Sequence, residues 1–316
     1  MRLQQLELLL ALSERGSLRA AADVLHVSQP ALTKSLRQLE EEFGAQLVIR
    51  SSKGVRLAPA GELLAARGAV ALRELARARE EVAWHNASRQ ASVAVGVSPA
   101  AASVLLPGAL ARYGARWPRV RVRVLDTLYP RAFAQLRTGE LDLAVGPMPR
   151  DGDRRDIADQ PLFTSRLVVV ARRGHPLQRA TRLAQLADAR WVSTGPQGGP
   201  GDPAQLDLWP GGPQDRPSPV VCESFSTLLA LARELDVLAL MPQGFFSYFG
   251  RGMSLVALPL QDPLPATTVH ALWRADTPLT LPARRLLDLL VQQAQGLPAH
   301  GESGGTGALR RGAPAP

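Results

Sequence analysis

The polar residues of SQPALTKSLRQLE, residues 28–40, have types and spacing suited to binding nucleic acid. A glutamine amide at position 29 can hydrogen-bond the edge of adenine, and the small apolar side chains after it can contact a thymine methyl group. Hydroxyl and basic side chains further along can contact phosphate oxygens. The predicted DNA-binding residues of this segment are therefore Ser28, Gln29, Pro30, Ala31, Thr33, Lys34 and Arg37.

Three short helical patterns are predicted to position these residues. In the first helix, Leu3, Leu6 and Leu10 form an apolar stripe, and Ser17 and Ser28 are predicted N-caps of the next two helices. The second and third helices meet at HVSQP with almost no loop, which is typical of a helix-turn-helix. The third helix is predicted to bury the face made of Leu32, Leu36, Leu39 and Phe43.

Residues 46–58 predict a two-stranded hairpin, because β-branched and apolar residues flank the turn sequence SSKG. The hairpin would be a wing whose basic residues reach the DNA backbone, namely Arg50, Lys53 and Arg56. A polar helix face is often only a solvated surface, and 13 Lys and Arg against 10 Asp and Glu give residues 1–90 a net charge of only +3. The placement of charge is more informative, because the acidic residues 40–42 lie at the end of the helix far from the predicted DNA contacts.

Residues 59–88 predict one long helix with a narrow apolar seam. The seam recurs at four- and three-residue spacing, as in a two-helix coiled coil, and consists of Leu64, Gly68, Ala71, Leu75, Ala78 and Val82. The pattern therefore favours a linker helix, residues 59–90, that pairs with a second copy of the chain. The alternative is an amphipathic helix that packs only on its own domain.

From residue 90 onward the pattern changes to short β-type runs, several of them separated by helical patterns. The runs include SVAVGVS, RVRVRVLDT, LDLAVG, RLVVVARR, RWVST, PVVCES, DVLALMP and SLVALPL. Strands that alternate with helices predict an α/β domain with a largely parallel sheet. Residues 296–316 are rich in Gly, Pro and Ala and predict a disordered tail.

The stretch AAADVLHVSQPALTKSLRQLEEEFGAQLVIRSSKGVRLAPAGELL closely resembles the N-terminal domain of LysR-type transcriptional regulators. The resemblance implies a winged helix-turn-helix at residues 1–58, then a dimerising linker helix and a sensor domain. Two positions depart from the usual pattern, since Val48 replaces a phenylalanine and Ala58 a threonine. The second change removes a hydroxyl that could cap the linker helix or contact phosphate.

Residues 91–295 resemble the effector-binding domain of that family, which is similar to periplasmic binding proteins. The resemblance implies one subdomain at residues 91–161 and 266–295, a second at 162–265, and a cleft between them. Ligands of open α/β sheets bind at the carboxyl ends of strands, although a lone Ser or Thr there is more often a helix N-cap. The strand ends give the predicted effector-binding residues Ser98, Thr127, Gly146, Met148, Thr194, Ser224, Phe225 and Ser226.

Composition and missing motifs narrow the function further. The formal charge of +9 favours a polyanionic partner, and the single cysteine, Cys222, excludes an internal disulfide and suits a cytoplasmic protein. Signal-peptide and membrane-spanning patterns are not found in the sequence. Neither are phosphate-binding loops, H-E-x-x-H, or metal-ligand spacing among the five histidines, so we expect no enzyme activity, cofactor or metal.

The sequence therefore predicts a DNA-binding transcriptional regulator that responds to a small effector, a carboxylate or similar anion. Its expected partners are double-stranded DNA, the effector, a second copy of the chain in a homodimer or homotetramer, and, as a further candidate, RNA polymerase. No membrane partner is expected. The alternative is a cytoplasmic small-molecule receptor or enzyme whose N-terminal helices serve only oligomerisation.

Overall fold

A computed structural model describes residues 1–51, 54–85, 91–149, 153–195, 199, 201–206, 208, 220–222 and 224–297. The N-terminal part contains α1 (Leu3–Arg15), α2 (Leu18–Val24), α3 (Gln29–Phe43), β1 (Val48–Ser51), β2 (Gly54–Leu57) and the long α4 (Pro59–His85). Lys53 and most of the expected tail, residues 298–316, lie outside the described residues.

The α/β part follows from residue 91. Its first half contains β3 (Ala91–Val97), α5 (Pro99–Val104), α6 (Leu106–Arg116), β4 (Val120–Asp126), α7 (Arg131–Arg137), β5 (Leu143–Pro147) and β6 (Ile157–Arg172). The second half contains β7 (Trp191–Thr194), β8 (Val220–Cys222), α8 (Phe225–Glu234), β9 (Leu238–Pro242), α9 (Gln243–Phe249), β10 (Leu255–Ala257), β11 (Ala266–Arg274) and α10 (Leu281–Gln295).

The first three helices enclose a core of leucine and alanine. Leu32, Leu36 and Leu39 of α3 are buried in it, as expected. Two apolar residues assigned to buried faces are not, since Leu3 is 42% exposed and Phe43 is 46% exposed. Each lies at an outer end of its helix, and no described element covers it. Of the predicted α1 stripe, Leu6 is buried and Leu10 packs against the core cluster, whose own α1 members are Leu8, Leu9, Ala11 and Leu12.

The junction between α2 and α3 is held by local hydrogen bonds. The Ser17 and Ser28 hydroxyls accept from the amides of Ala20 and Ala31, which confirms both predicted N-caps. His26 has a φ of 54° and takes the left-handed position that ends α2. Its amide donates to Asp23 O and the Val27 amide donates to Ala22 O, the paired bonds of a Schellman motif. The left-handed turn therefore sets the tight connection to α3.

The predicted hairpin is present and is tied to the helices at both strands. β1 and β2 pair antiparallel, with Val48 opposite Leu57. The Glu40 carboxylate of α3 accepts hydrogen bonds from the amides of Leu47 (2.8 Å) and Val48 (3.3 Å). On the other strand, the Val55 amide donates to Gly16 O at 2.8 Å. The wing is thus oriented by α3 and by the turn after α1.

The near half of α4 packs very closely on the N-terminal domain. A Cβ at Gly61 would lie 2.0 Å from Leu47 O, and one at Gly68 would lie 2.8 Å from Leu6 Cδ2. Part of the predicted seam therefore faces the chain's own domain. Further along, Leu75 is 41% exposed and Val82 is 61% exposed, so this part of the seam is open.

The far half of α4 contacts the α/β domain through charged groups. Arg77, with 19% of its side chain exposed, forms an ion pair with Asp142 at 2.8 Å and also donates to Gly139 O and Leu141 O. Glu74 accepts from Arg274 at 2.9 Å. These residues define what we call the junction network: Arg73, Glu74, Arg77, Glu80, Asp142 and Arg274.

One mixed sheet forms the α/β domain, in the order β4-β3-β5-β11-β6-β9-β7-β8, with β10 paired to β6. The α/β expectation is confirmed, but the sheet is less parallel than predicted. β3 pairs parallel with β4 and β5, and β7 pairs parallel with β8 and β9. The long strands β6 and β11 run antiparallel to each other between these two groups. Each parallel group forms one lobe, and β6 and β11 connect the lobes.

Candidate functional site

The predicted DNA-binding residues of α3 form an accessible face. Ser28, Gln29, Pro30, Ala31, Lys34 and Arg37 are exposed, and Thr33 is half-buried. The opposite face of the helix is anchored by Leu32, Leu36 and Leu39, each at most 1% exposed. The helix therefore presents a polar surface on a rigid support, with its N-terminus and free amides at one end.

Arg37 differs from the other basic residue of this face. Its Nε donates to the Glu41 carboxylate at 2.9 Å, one helical turn further along. Both side chains are largely exposed, so the pair contributes little to stability. Lys34 has no ion pair among the described residues. Lys34 is thus free to meet a phosphate, whereas Arg37 would have to exchange its partner first.

The wing adds two more exposed cations on neighbouring strands. Arg50 and Arg56 are both exposed, and Arg56 is paired in register with Ile49, next to Arg50. Lys53 lies outside the described residues, so its place at the hairpin tip stays a prediction. Ala58 is only 6% exposed at the start of α4, so the position where the family has a hydroxyl is buried here.

A second candidate site lies in a cleft between the two lobes. The space between its lining residues is about 500 Å³, which includes open solvent, and about 50 Å³ of it is accessible to the centre of a water molecule. Three of the predicted effector-binding residues line it: Ser98 from the first lobe, and Thr194 and Phe225 from the second. Gly146 lies beside them, since a Cβ built there would be 3.5 Å from Ser98 Cβ.

The structure does not place the other four predicted residues in the cleft lining. The Thr127 hydroxyl donates to Gln135 Oε1 at 3.0 Å. Met148 packs against the cluster around Phe133. Ser224 caps α8, and its Oγ is 2.7 Å from Ser226 Oγ. For Ser224 the N-cap role was the alternative interpretation of a hydroxyl at a strand end.

Two lining residues were missed by the strand-end rule. Ser165 and Thr267 lie within β6 and β11, where they are direct cross-strand partners and both line the cleft. Neither strand ends there, so the rule that ligands bind at strand ends does not select them. The signal that could have found them is a hydroxyl in each strand that connects the lobes.

Cys222 and His175, two groups with possible redox or acid–base roles, are both buried. Cys222 is 6% exposed, and burial raises the pKa of its thiol. His175 is 5% exposed and its Nδ1 accepts from the Leu177 amide at 3.0 Å, while burial lowers its pKa. No cluster of three metal-ligating side chains occurs among the residues that were described. Likewise, no helix in those ranges has both the length and the apolar character needed to cross a bilayer.

A winged helix-turn-helix that is joined by a long helix to a two-lobed domain with a cleft defines a ligand-responsive DNA-binding regulator. The match to known sequence families agrees with this class. Residues 3–62 match the bacterial regulatory helix-turn-helix protein model of the lysR family, and residues 86–295 match the LysR substrate binding domain. The chain belongs to the LysR family of transcriptional regulators.

Individual relatives are similar over most of the chain. The HTH-type transcriptional regulator TdcA of Escherichia coli K12 is 27% identical over 276 residues, which is 87% of both chains. Two solved structures share the fold. Full-length CbnR in complex with its target DNA has a TM-score of 0.69 at 19% identity and covers 93% of this chain and 100% of its own. A full-length OxyR variant of Pseudomonas aeruginosa has a TM-score of 0.60 at 23% identity, covering 94% and 95%.

Proposed function

We propose that the chain binds a specific, two-fold symmetric DNA site by inserting the N-terminal end of α3 into the major groove. The observation that carries the proposal is the exposed polar face from Ser28 to Arg37 on a helix whose opposite face is core. Gln29 would read a base edge, and Lys34, Arg50 and Arg56 would contact phosphates. The fold shared with CbnR in its DNA complex supports this arrangement.

The open part of the α4 seam supports a dimer. Leu75 and Val82 are large apolar side chains exposed in the single chain, and they recur at coiled-coil spacing. Pairing of two α4 helices would bury them and place two α3 helices on one duplex. The resulting dimer would then assemble further into a homotetramer, and RNA polymerase would be a partner at the promoter.

The cleft would hold the effector, a small carboxylate or similar anion. We take the first lobe of this cleft as residues 91–161 and 266–295, and the second lobe as residues 162–265. An effector can change DNA binding only by binding one arrangement of the lobes more tightly than another. We expect it to alter how the paired subunits space their α3 helices.

Fluorescence anisotropy with the chain's own upstream DNA and a random duplex of equal length tests this function. Gln29→Ala should weaken binding to the upstream DNA by about 1–3 kcal/mol. Lys34→Ala should weaken binding to both duplexes and lower the slope of log affinity against log salt concentration by about one. Arg67→Ala, an exposed cation on α4, is the matched control and should change neither. Equal affinity of the wild-type chain for both duplexes would contradict the proposal.

The dimer is tested separately, by sedimentation of Leu75→Arg and Val82→Arg variants. Both side chains are exposed, so the folded monomer should keep its stability within about 0.5 kcal/mol while the sedimenting mass decreases. An unchanged mass would show that α4 is not the interface.

A further inference from the structure

Four hydroxyl groups converge on the cleft from three directions. Ser98 follows β3 in the first lobe, Thr194 ends β7 in the second, and Ser165 and Thr267 lie on the connecting strands. Because Thr267 is directly opposite Ser165 in register, their side chains stand side by side on one face of the ladder. The hydroxyl pair thus forms the part of the cleft shared by both lobes.

Ser98, Ser165 and Thr194 are buried and Thr267 is half-buried, and three of the four hydroxyls have no hydrogen-bond partner in the described part of the chain. Ser98 is 2% exposed, and Ser165 and Thr194 are each 7% exposed. In the described part of the chain, Ser165, Thr194 and Thr267 have no side-chain hydrogen bond, and the Ser98 Oγ only accepts, from the Ala101 amide at 3.4 Å. Among those residues, the unpartnered side-chain atom that is fully sealed from solvent is Trp191 Nε1, so the hydroxyl oxygens of Ser165, Thr194 and Thr267 are not sealed. Buried hydroxyls are normally hydrogen-bonded, so these groups are donors suited to binding a ligand in the cleft.

The remaining lining is apolar. Leu128, Leu167, Leu240 and Val269 face the cavity together with Phe225 and prolines. Among the described residues that line it, none is Lys, Arg, His, Asp or Glu. The cleft therefore offers one polar region and one apolar region.

We propose that the effector is a monocarboxylate with a compact apolar body, and that Ser165 and Thr267, together with Ser98 and Thr194, bind its carboxylate. This deepens the proposed function and depends on it. A carboxylate only accepts hydrogen bonds and has about four lone-pair sites, which four hydroxyl donors can fill. An amide would bring two donors of its own and leave hydroxyl protons unpaired. Charge-assisted hydrogen bonds are strong enough to hold an anion without a cation.

The apolar wall explains why one carboxylate is preferred to two. A second carboxylate would lie against Leu167, Leu240 or Val269 with no donor, and an unpaired buried charge is very costly. The same reasoning disfavours a ligand with an ammonium group on its body, because no lining carboxylate would pair with it.

Calorimetric titration of the full-length protein with three matched sets of probes tests the ligand class. The monocarboxylates are butyrate, hexanoate and benzoate; the amides are butyramide, hexanamide and benzamide; the dicarboxylates are succinate, adipate and terephthalate. At least one monocarboxylate should bind with a Kd below about 1 mM, and its amide and dicarboxylate should bind at least about 30-fold more weakly, as expected for charged hydrogen bonds. Binding of no monocarboxylate, or equal binding of a matched amide or dicarboxylate, would overturn the inference.

Variants then test the hydroxyl pair with the monocarboxylate that binds most tightly. Ser165→Ala and Thr267→Val should each raise the Kd by about 10- to 100-fold. Thr268→Val is the matched control, because Thr268 is exposed and lies on the opposite face of β11. Equal effects of Thr267→Val and Thr268→Val, with unchanged circular dichroism, would remove the role of the pair. If the carboxylate tests fail but the wild-type chain still prefers its upstream DNA, only this inference is wrong and the regulator proposal stands. If the wild-type chain shows no specific DNA binding, the regulator proposal itself fails.

Discussion

The two halves of α4 are attached to their neighbours by different kinds of contact. At the near end, Gly61 and Gly68 allow the helix to touch Leu47 and Leu6 with no space for a side chain between them. At the far end, the junction network holds the same helix by ion pairs and hydrogen bonds. Close packing of backbone and side chains admits one arrangement, whereas exposed ion pairs can exchange their partners for water or for one another.

This difference indicates where the molecule can change its shape. The near half of α4 should move as one body with the DNA-binding domain. The junction network is the more adjustable joint, and Arg274, the last residue of β11, connects it to a strand that lines the cleft. A change at the cleft could thus reach α4 through a single strand.

The largest effect is expected at the close contact. Gly61→Ala would place a Cβ 2.0 Å from Leu47 O, a backbone atom that cannot move without displacing the wing. We expect a loss of about 3 kcal/mol in the stability of the N-terminal domain, measured by thermal unfolding. Gly114→Ala is the control, because a Cβ there meets nothing within 4 Å and should not destabilise α6. Equal melting temperatures of the two variants would show that the near end is not tightly packed.

An intermediate effect is expected when the junction network loses its cation. Arg77→Ala would leave Asp142, with 11% of its side chain exposed, without its ion-pair partner. The expected cost is about 2 kcal/mol, less than for a fully buried pair, together with faster hydrogen exchange at the Ala94 amide, which donates to Asp142. Arg79→Ala, an exposed cation on the same helix, should change neither quantity. If both variants exchange alike at Ala94, Arg77 does not hold the joint.

The smallest effect is expected when the charge of Asp142 itself is removed. Burial raises the pKa of Asp142 more than Arg77 lowers it, so the folded state takes up this proton at higher pH than the unfolded chain. The contribution of Asp142 to stability therefore becomes more favourable as the pH decreases through its folded pKa towards 3.8. At pH 7, Asp142→Asn should cost less than about 1 kcal/mol. Calorimetry at pH 7 and pH 4.5 should show that the free energy of unfolding of the wild type rises relative to that of this variant at the lower pH. The opposite trend would contradict the raised pKa.

Features encoded by a few neighbouring residues could be predicted from the sequence. The Ser17 and Ser28 caps, the hairpin and the exposed face of α3 depend on contacts within a few positions, and the structure has all of them. Leu3 and Phe43 were assigned wrongly because periodicity tells which face is apolar but not how far along the helix its neighbours extend. The division of α4 between its own domain and an open seam also depends on distant residues.

The cleft residues were predictable only where a local sequence signal marks them. Ser98 and Thr194 follow strands, a local signal, and both line the cavity. Ser165 and Thr267 are far apart in sequence and become neighbours only through the pairing of β6 with β11. Thr127 has the local signal, but its hydroxyl donates a hydrogen bond to Gln135 Oε1 of α7. Long-range pairing and competing acceptors are not visible in a single sequence.

The shared strand β6 limits the way the lobes can move. It pairs with β11 from Ile157 to Arg166, and its last residues pair with β9 and β10 in the second lobe. A one-residue slip of this ladder would turn every side chain to the opposite face, whereas the twist between neighbouring strands varies widely among sheets. The lobes can consequently rotate about the ladder but cannot shear past each other. Such a rotation would widen or narrow the outer edge of the cleft, while the ladder register keeps Ser165 and Thr267 side by side. Ligands that differ only at their outer end would then be discriminated while their carboxylate keeps the same contacts.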